Sequence, residues 1–303
     1  MTPSEYAAKF LNLYLFLPQP PDADGGPPPA PSMYLPDPRA PNLVAGDSLD
    51  PGSWRRVTVN LYRLKESPQA GILYSALKNK VAFIDVRVMG IDGSIQTHHF
   101  HPDDIRYALA APFAGKGYPE ECQVALQLWH RYRSKQLDIN SLIATAGIGL
   151  DCNGFVGGYI DRLKSPSNWL RKSGTHTGDM ISSLLGRNFF NSWDMIQPPG
   201  GQCLLFGECD ANGNVADHSA AGATGHIMIT EPGTLAKNSA SGPATVDVVE
   251  STGPVGKVGL QRSRCTILSM PKRGVFRIQR GVPSKKNTAD EFMHVRIVQL
   301  LAR

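Results

Sequence analysis

A thiol and an imidazole are the two groups in this chain whose types and settings suit acyl-transfer chemistry. Cys152 sits in Asp151-Cys152-Asn153-Gly154-Phe155-Val156, where a glycine-containing approach (144–149) gives way to a helical pattern. A cysteine that opens a helix faces the positive end of the helix dipole and a set of unpaired amides, and both favour an attacking thiolate. Asp151, one residue ahead, can accept from those amides as a cap. Gly154 leaves room for close packing or substrate approach. The second group is His226, in Gly225-His226-Ile227-Met228-Ile229. A histidine opening an apolar strand is an odd residue to bury without a partner or a task. Brought to the thiol, its ring would take the proton and form the thiolate–imidazolium pair used in acyl transfer. A third group must then fix the ring's tautomer. Glu250, at the end of Val246-Asp247-Val248-Val249-Glu250, is the first candidate, with Asp247 and His218 behind it. Taken alone, a cysteine at a helix start is equally a structural residue.

Other chemistry is weaker. His98, His99 and His101 form the densest histidine group, but strand alternation splits them between two faces, and no nearby residue completes a metal set. They read as a solvated strand end, and no metal or cofactor is expected. The five cysteines, Cys122, Cys152, Cys203, Cys209 and Cys265, are an odd number with no C-x-x-C spacing. Most read as buried free thiols, although Cys203 and Cys209 could pair across a loop. Trp169 and Trp193, in the long segment between Cys152 and His226, are candidate substrate contacts or packing residues.

The elements that must hold these groups follow from composition and periodicity. Hydrophobic residues make up 41 % of the 303, enough for a real core. Residues 1–53 form a Pro/Gly-rich N-terminal segment, with an amphipathic helix suggested at its start and a proline-rich strap from 19. Residues 54–138 read as a small α+β unit of unknown role. Within it lie a strand at 57–64, a hairpin of 81–88 and 95–100 turning at Asp92-Gly93, and helices starting near Pro102 and Pro119. Residues 139–303 hold the Cys152 helix and then strand-like runs at 203–206, 226–230, 245–249, 265–270, 275–279 and 294–301. A helix followed by successive strands implies an α+β domain with a mainly antiparallel sheet.

These residues resemble a known family. Asp151-Cys152-Asn153-Gly154-Phe155-Val156 is similar to the D-C-S-G-F-V motif of NlpC-type cell-wall cysteine peptidases, and Gly225-His226-Ile227-Met228-Ile229 to that family's H-V-G-I motif. Pro199-Gly200-Gly201-Gln202-Cys203-Leu204-Leu205-Phe206 resembles the stretch that precedes the histidine strand. A glutamate at position 250 is similar to the related CHAP amidases, where NlpC-type enzymes often carry histidine. The resemblance covers residues 139 to about 270. It implies a papain-like cysteine hydrolase core, a nucleophile-bearing helix packed on an antiparallel sheet, with an N-terminal α+β extension. It further implies Cys152, His226 and Glu250 as catalytic residues, with Asp151, Asn153 and Gly225 beside the substrate. The implied substrate is a peptidoglycan stem peptide. The family's Y-x-W-G-G lead-in, whose tyrosine supports the oxyanion hole, is replaced here by residues 144–149, so the second oxyanion donor is open.

Charge adds little. The net charge of +5 is compatible with an anionic surface such as a bacterial wall. No block of basic residues and no nucleic-acid motif points to a nucleic-acid partner. No run reaches the apolar length of a membrane span, and the N-terminus lacks the charge pattern and cleavage site of a secretory signal. Synthesis in the cytoplasm is therefore expected, with any export by a phage particle or secretion machine. A secreted effector toxin would have an immunity partner. The competing readings are a cysteine hydrolase or acyltransferase acting on a protein or lipid, and a non-catalytic binding module.

Overall fold

The computed structural model of the protein describes residues 1–18, 52–63, 66–78, 83–133, 139–164, 183–197, 202–215, 225–237, 239, 242–253, 259–281 and 291–300. The proline-rich strap expected from 19 falls, up to residue 51, outside the described residues, as do Trp169 and His218.

Helix α1 (Pro3–Leu11) begins with a capping box, the Glu5 amide donating to Thr2 Oγ1 and the Thr2 amide to Glu5 Oε2. The amphipathic helix expected at the start stops there. From Leu13 the apolar residues alternate, and strand β1 (Leu13–Pro18) pairs antiparallel with β2 (Gly52–Val57). Strand β2 ends where the sequence pattern placed the start of a strand. Beyond it Tyr62 makes one isolated parallel bridge to Leu150. Helix α2 (Gln69–Lys78) follows, then the hairpin of β3 (Ile84–Met89) and β4 (Ile95–Phe100) turning at Asp92-Gly93. Helices α3 (Pro102–Phe113) and α4 (Pro119–Arg133) start on the anticipated prolines. Helix α5 (Ile139–Ala146) lies within a stretch read only as an approach to Cys152, and α6 (Cys152–Lys164) begins on the cysteine.

The second half departs from the papain-like architecture. After a 3-10 turn at Trp193–Met195 come β5 (Cys203–Cys209), β6 (Ile227–Thr230), β7 (Ala236–Lys237), β8 (Ala244–Ser251), β9 (Leu260–Lys272), β10 (Val275–Arg280) and β11 (Glu291–Leu300). They hydrogen-bond in the order β6-β5-β11-β10-β9-β8-β7, and β6 also pairs with β8 through Ile229↔Val249 and Thr230↔Val248. That last pairing closes six antiparallel strands into a barrel, with β7 as a short appendage on β8. The expectation of a helix packed on an antiparallel sheet is therefore corrected: the dominant body is a closed β-barrel. Closure removes the exposed edges an open sheet would present.

Alternation along the barrel strands sorts their side chains into two cores. Leu204, Phe206, Met228, Val246, Val248, Cys265, Ile267, Phe276 and Ile278 share the barrel's interior cluster. Their neighbours of opposite parity, Leu205, Ile227, Ile229 and Val249, join a second cluster that runs through α6, α5, α4 and back to α1. Residues 54–138 and 139–303 thus share one continuous buried core, sealed from the N-terminal side by Tyr6 and Phe10. No described helix is long and apolar enough to cross a membrane.

Candidate active site

Alternation also decides what gathers at one end of the barrel. Glu250 continues the inward series Ala244, Val246, Val248 on β8, and Arg280 continues Phe276 and Ile278 on β10. Ser263 lies on β9 with the same parity as Cys265 and Ile267. His226 stands at the start of β6, its carbonyl accepting from the Glu208 amide of β5 at 2.8 Å. The apolar lumen therefore ends in a ring of polar groups.

Within that ring His226 Nε2 meets Glu250 Oε2 at 2.5 Å. Arg280 Nη2 donates to the same oxygen at 2.6 Å, while Gln261 Nε2 and Ser263 Oγ donate to Oε1, each at 3.2 Å. Glu250 is 0 % exposed, and a carboxylate so deeply buried stays ionised only with partners of this kind. Burial alone would raise its pKa, but the His226 hydrogen bond and the charges of His226 and Arg280 hold it down at about 2.

Cys152 approaches from outside the barrel on α6, which packs against β6 and β8. There the thiol lies close enough to the His226 ring to favour its protonated form. Cys152 is 2 % and His226 9 % exposed. Burial pulls the imidazole's pKa down, but hydrogen bonds to Cys152 and Glu250 and the charge of Glu250 outweigh it and lift the value to about 9. A thiol, an imidazole and a carboxylate are thus gathered at one place, the imidazole bonded to the carboxylate and close to the thiol.

The first half of the chain holds the nucleophile's helix in place. Asp151 Oδ1 caps α6 by accepting from the Gly154 amide, and Oδ2 accepts from Lys116 Nζ at 2.7 Å. The Asp151 amide donates to the Gly115 carbonyl at 2.9 Å. Both carboxylate oxygens are engaged, and burial pushes this carboxyl's pKa up against the pull of Lys116. Leu150 is clasped by the neighbouring strand-like segment, its amide donating to the Leu61 carbonyl at 2.7 Å and its carbonyl accepting from the Arg63 amide at 3.1 Å. Gly149 makes this possible, because a side chain there would collide with the Leu61 carbonyl oxygen. Tyr62, bridged to Leu150, has its phenol near enough to Cys152 and Asp151 to feel their charges. Burial raises the phenol's pKa, and the charges of Cys152 and Asp151 raise it further.

Cys152, His226, Glu250, Asp151, Asn153 and Gly225 are brought together: Asn153 is buried in the first turn of α6, and Gly225 is half-buried beside the histidine. Trp193 lies elsewhere, packed against the barrel cluster with its ring 6.2 Å from that of Phe276. Asp247 is bound on the surface by Arg262 and Arg264. All five cysteines are free thiols, so Cys203 and Cys209, at opposite ends of β5, do not pair. Among the described residues no group of three or more histidine, cysteine and acidic side chains could hold a metal. Sequence reasoning missed Tyr62, Lys116, Gln261, Ser263 and Arg280. A signal existed for Arg280 and Ser263, each a polar residue on the apolar parity of its strand.

The shifted pair sets a pH signature. His226 is raised from 6.5 to about 9, so its contribution to stability is complete below 6.5 and is lost as pH rises through 9. Glu250 is lowered from 4.5 to about 2, so its contribution is complete above 4.5 and is lost as pH falls through 2. Thermal melts between pH 6.5 and 9 should show an alkaline loss on the order of 3 kcal/mol that is absent in His226→Gln. A flat profile, or the same slope in the variant, would show that the ring is not held in this way.

No known protein family, no curated protein and no solved structure matches this chain.

Proposed function

We propose that this protein is a cysteine-dependent amide hydrolase whose substrate is a peptidoglycan stem peptide. The observation that supports it best is the line from the Cys152 thiol through the His226 ring to the buried Glu250 carboxylate, set at the start of a helix. In the reaction the Cys152 proton resides on His226, and the thiolate sulfur attacks the amide carbonyl. The oxyanion that forms is met by the Cys152 amide, one of the orphan donors of the helix's first turn, and by the Tyr62 hydroxyl. As the C–N bond breaks, His226 returns its proton to the leaving amine, and a thioester remains. His226 then takes a proton from water, hydroxide adds to the thioester, and the C–S bond breaks to release the acid. Glu250 keeps the ring oriented and balances its positive charge throughout.

The cell wall is favoured among amide substrates by the resemblance of the Cys152 and His226 segments to wall peptidases and by the chain's net charge of +5. Delivery in a phage particle or as a secreted effector toxin, with an immunity partner in the producing cell, belongs to the same reading. The test is to incubate the protein with purified sacculi and follow soluble fragments by mass spectrometry. New amine and carboxyl ends at one stem-peptide bond are expected. Intact sacculi together with rapid alkylation of Cys152 would keep the nucleophile and move the substrate to a protein or lipid. Intact sacculi with an unreactive Cys152 would leave a binding module. If Tyr62 is the second donor, Tyr62→Phe lowers kcat by about 10²-fold with little change in KM, since the hydroxyl is needed only once the oxyanion forms. Unchanged kcat would remove the phenol from the mechanism.

A further inference from the structure

Two successive residues of β8 serve the two halves of the site. Neighbours along a strand point to opposite faces. Glu250 turns into the barrel's end and meets His226 Nε2 at 2.5 Å, while Ser251 turns outward to the segment that leads into α6. There Ser251 Oγ donates to the Leu150 carbonyl at 2.8 Å. Leu150 stands two residues before Cys152, and Ser251 is fully buried, so water does not compete for this bond.

Much of what else holds the nucleophile belongs to the first half of the chain. Asp151 is bound by Gly115 and Lys116, in the loop that joins α3 to α4, and Leu150 is clasped by Leu61 and Arg63. His226 and Glu250 belong to the barrel. Helix α6 packs on β6 and β8 within the apolar core, but apolar contact is non-directional and tolerates a slide that a hydrogen bond resists. Asn60 Oδ1 accepts from the Leu260 amide at 2.6 Å and ties the clasping segment to β9, one step further from the thiol. Ser251 makes the link from the barrel to the approach of Cys152 directly.

Resting on the reading of Cys152 as the nucleophile, we propose that Ser251 is a positioning residue of this site: by holding the Leu150 carbonyl it sets the Cys152 sulfur in register with the imidazole that the adjacent Glu250 orients.

Because one strand carries both ties, a shift of β8 moves the carboxylate, the ring it holds and the approach to the sulfur together. The spacing between sulfur and ring is thereby kept while the barrel and the helical half move against each other.

The test separates position from stability in the full chain. In Ser251→Ala the Leu150 carbonyl keeps the Arg63 amide at 3.1 Å, so no buried acceptor is orphaned and the fold is expected to survive. Turnover of sacculi should show kcat lowered about tenfold with KM unchanged, since a displaced sulfur still leaves substrate binding intact. Alkylation of Cys152 by iodoacetamide at pH 7 should slow about tenfold as well, because the thiol loses the imidazolium beside it. Labelling of the buried Cys209 and Cys265 should not rise. Ser251→Thr keeps the hydroxyl on a residue type that suits strands, and should leave both readouts within about threefold of wild type. Wild-type turnover and alkylation in Ser251→Ala overturn the proposal. So does a folded Ser251→Thr as slow as the alanine variant is expected to be. An alanine variant that does not fold, or that labels Cys209 and Cys265 faster, would make Ser251 a general brace and overturns it too. Failure of the hydrolase reading looks different: wild-type Cys152 would itself alkylate no faster than Cys209. Intact sacculi beside fast alkylation would remove only the wall as substrate, and the alkylation rates of the variants would then decide for Ser251.

Discussion

Cys152→Ser is expected to abolish hydrolysis and to keep the fold. The thiol sits at the first residue of α6, close to a ring that Glu250 holds through Nε2. A hydroxyl occupies nearly the same volume, so the packing of α6 on β6 and β8 survives, at a stability cost of about 1 kcal/mol for a more polar buried group. It is a far weaker acid than a thiol, and His226 cannot ionise it. Loss of a nucleophile in such a unit costs about 10³-fold or more in kcat. The remaining thiols provide the internal control. Burial holds Cys209 at about 11 and Cys265 at about 12, so both stay protonated at pH 7. Iodoacetamide at neutral pH should therefore mark Cys152 first, peptide mapping should find the label there, and the labelled protein should be inactive. Full activity in the serine variant would remove Cys152 from the chemistry.

The second large effect comes from a residue with no chemistry of its own. Gly154, in the first turn of α6, lies directly under the loop that joins α3 to α4. A methyl group there would overlap the Gly115 carbonyl oxygen and stand 2.8 Å from Lys116 Cα, both backbone atoms that cannot rotate away. That same carbonyl accepts from the Asp151 amide, and Lys116 pairs with the Asp151 carboxylate. Gly154→Ala must therefore push the loop off the helix or the helix off the loop. Overpacking of this kind costs about 3 kcal/mol. If the protein folds, a shift of about 1 Å in the sulfur relative to His226 should lower kcat by about 10²-fold. Melting temperature and turnover measured together give the answer. A variant as stable and active as the wild type would show that the loop does not clamp the helix.

The sequence made some of this legible and concealed the rest for physical reasons. Helices α3 and α4 were readable because proline and acidic residues favour the first turn of a helix. The β3–β4 hairpin was readable from alternation either side of Asp92-Gly93. Helix α6 and the six barrel strands were each placed by their periodicity. Barrel closure was not readable. It rests on two residue pairs between β6 and β8, and local alternation reports that a strand has two faces without saying which distant strand it meets. For that reason the papain-like expectation failed although its strands were correctly located. In the site, Cys152, His226 and Glu250 stood out as polar residues opening or ending apolar segments. Tyr62 did not, because what matters about it is a single bridge to Leu150, 88 positions later in the chain.

Barrel closure also bears on when the candidate site can assemble during synthesis. Strand β11 lies between β5 and β10, pairing Ile297 with Phe206 and Val295 with Phe276. A nascent chain that has emerged as far as residue 281 already contains Cys152, His226, Glu250 and Arg280, yet two neighbouring strands have nothing between them. The polar ring at the barrel's end then has no closed wall to hold it, and the charges it would bury stand in water. Pairing β11 with β5 joins segments about 90 residues apart, a closure that is intrinsically slow. Translation and assembly of the site are thereby separated in time: the ribosome delivers all four groups before the fold can bring them into register, so a chain interrupted short of β11 is expected to lack the assembled site.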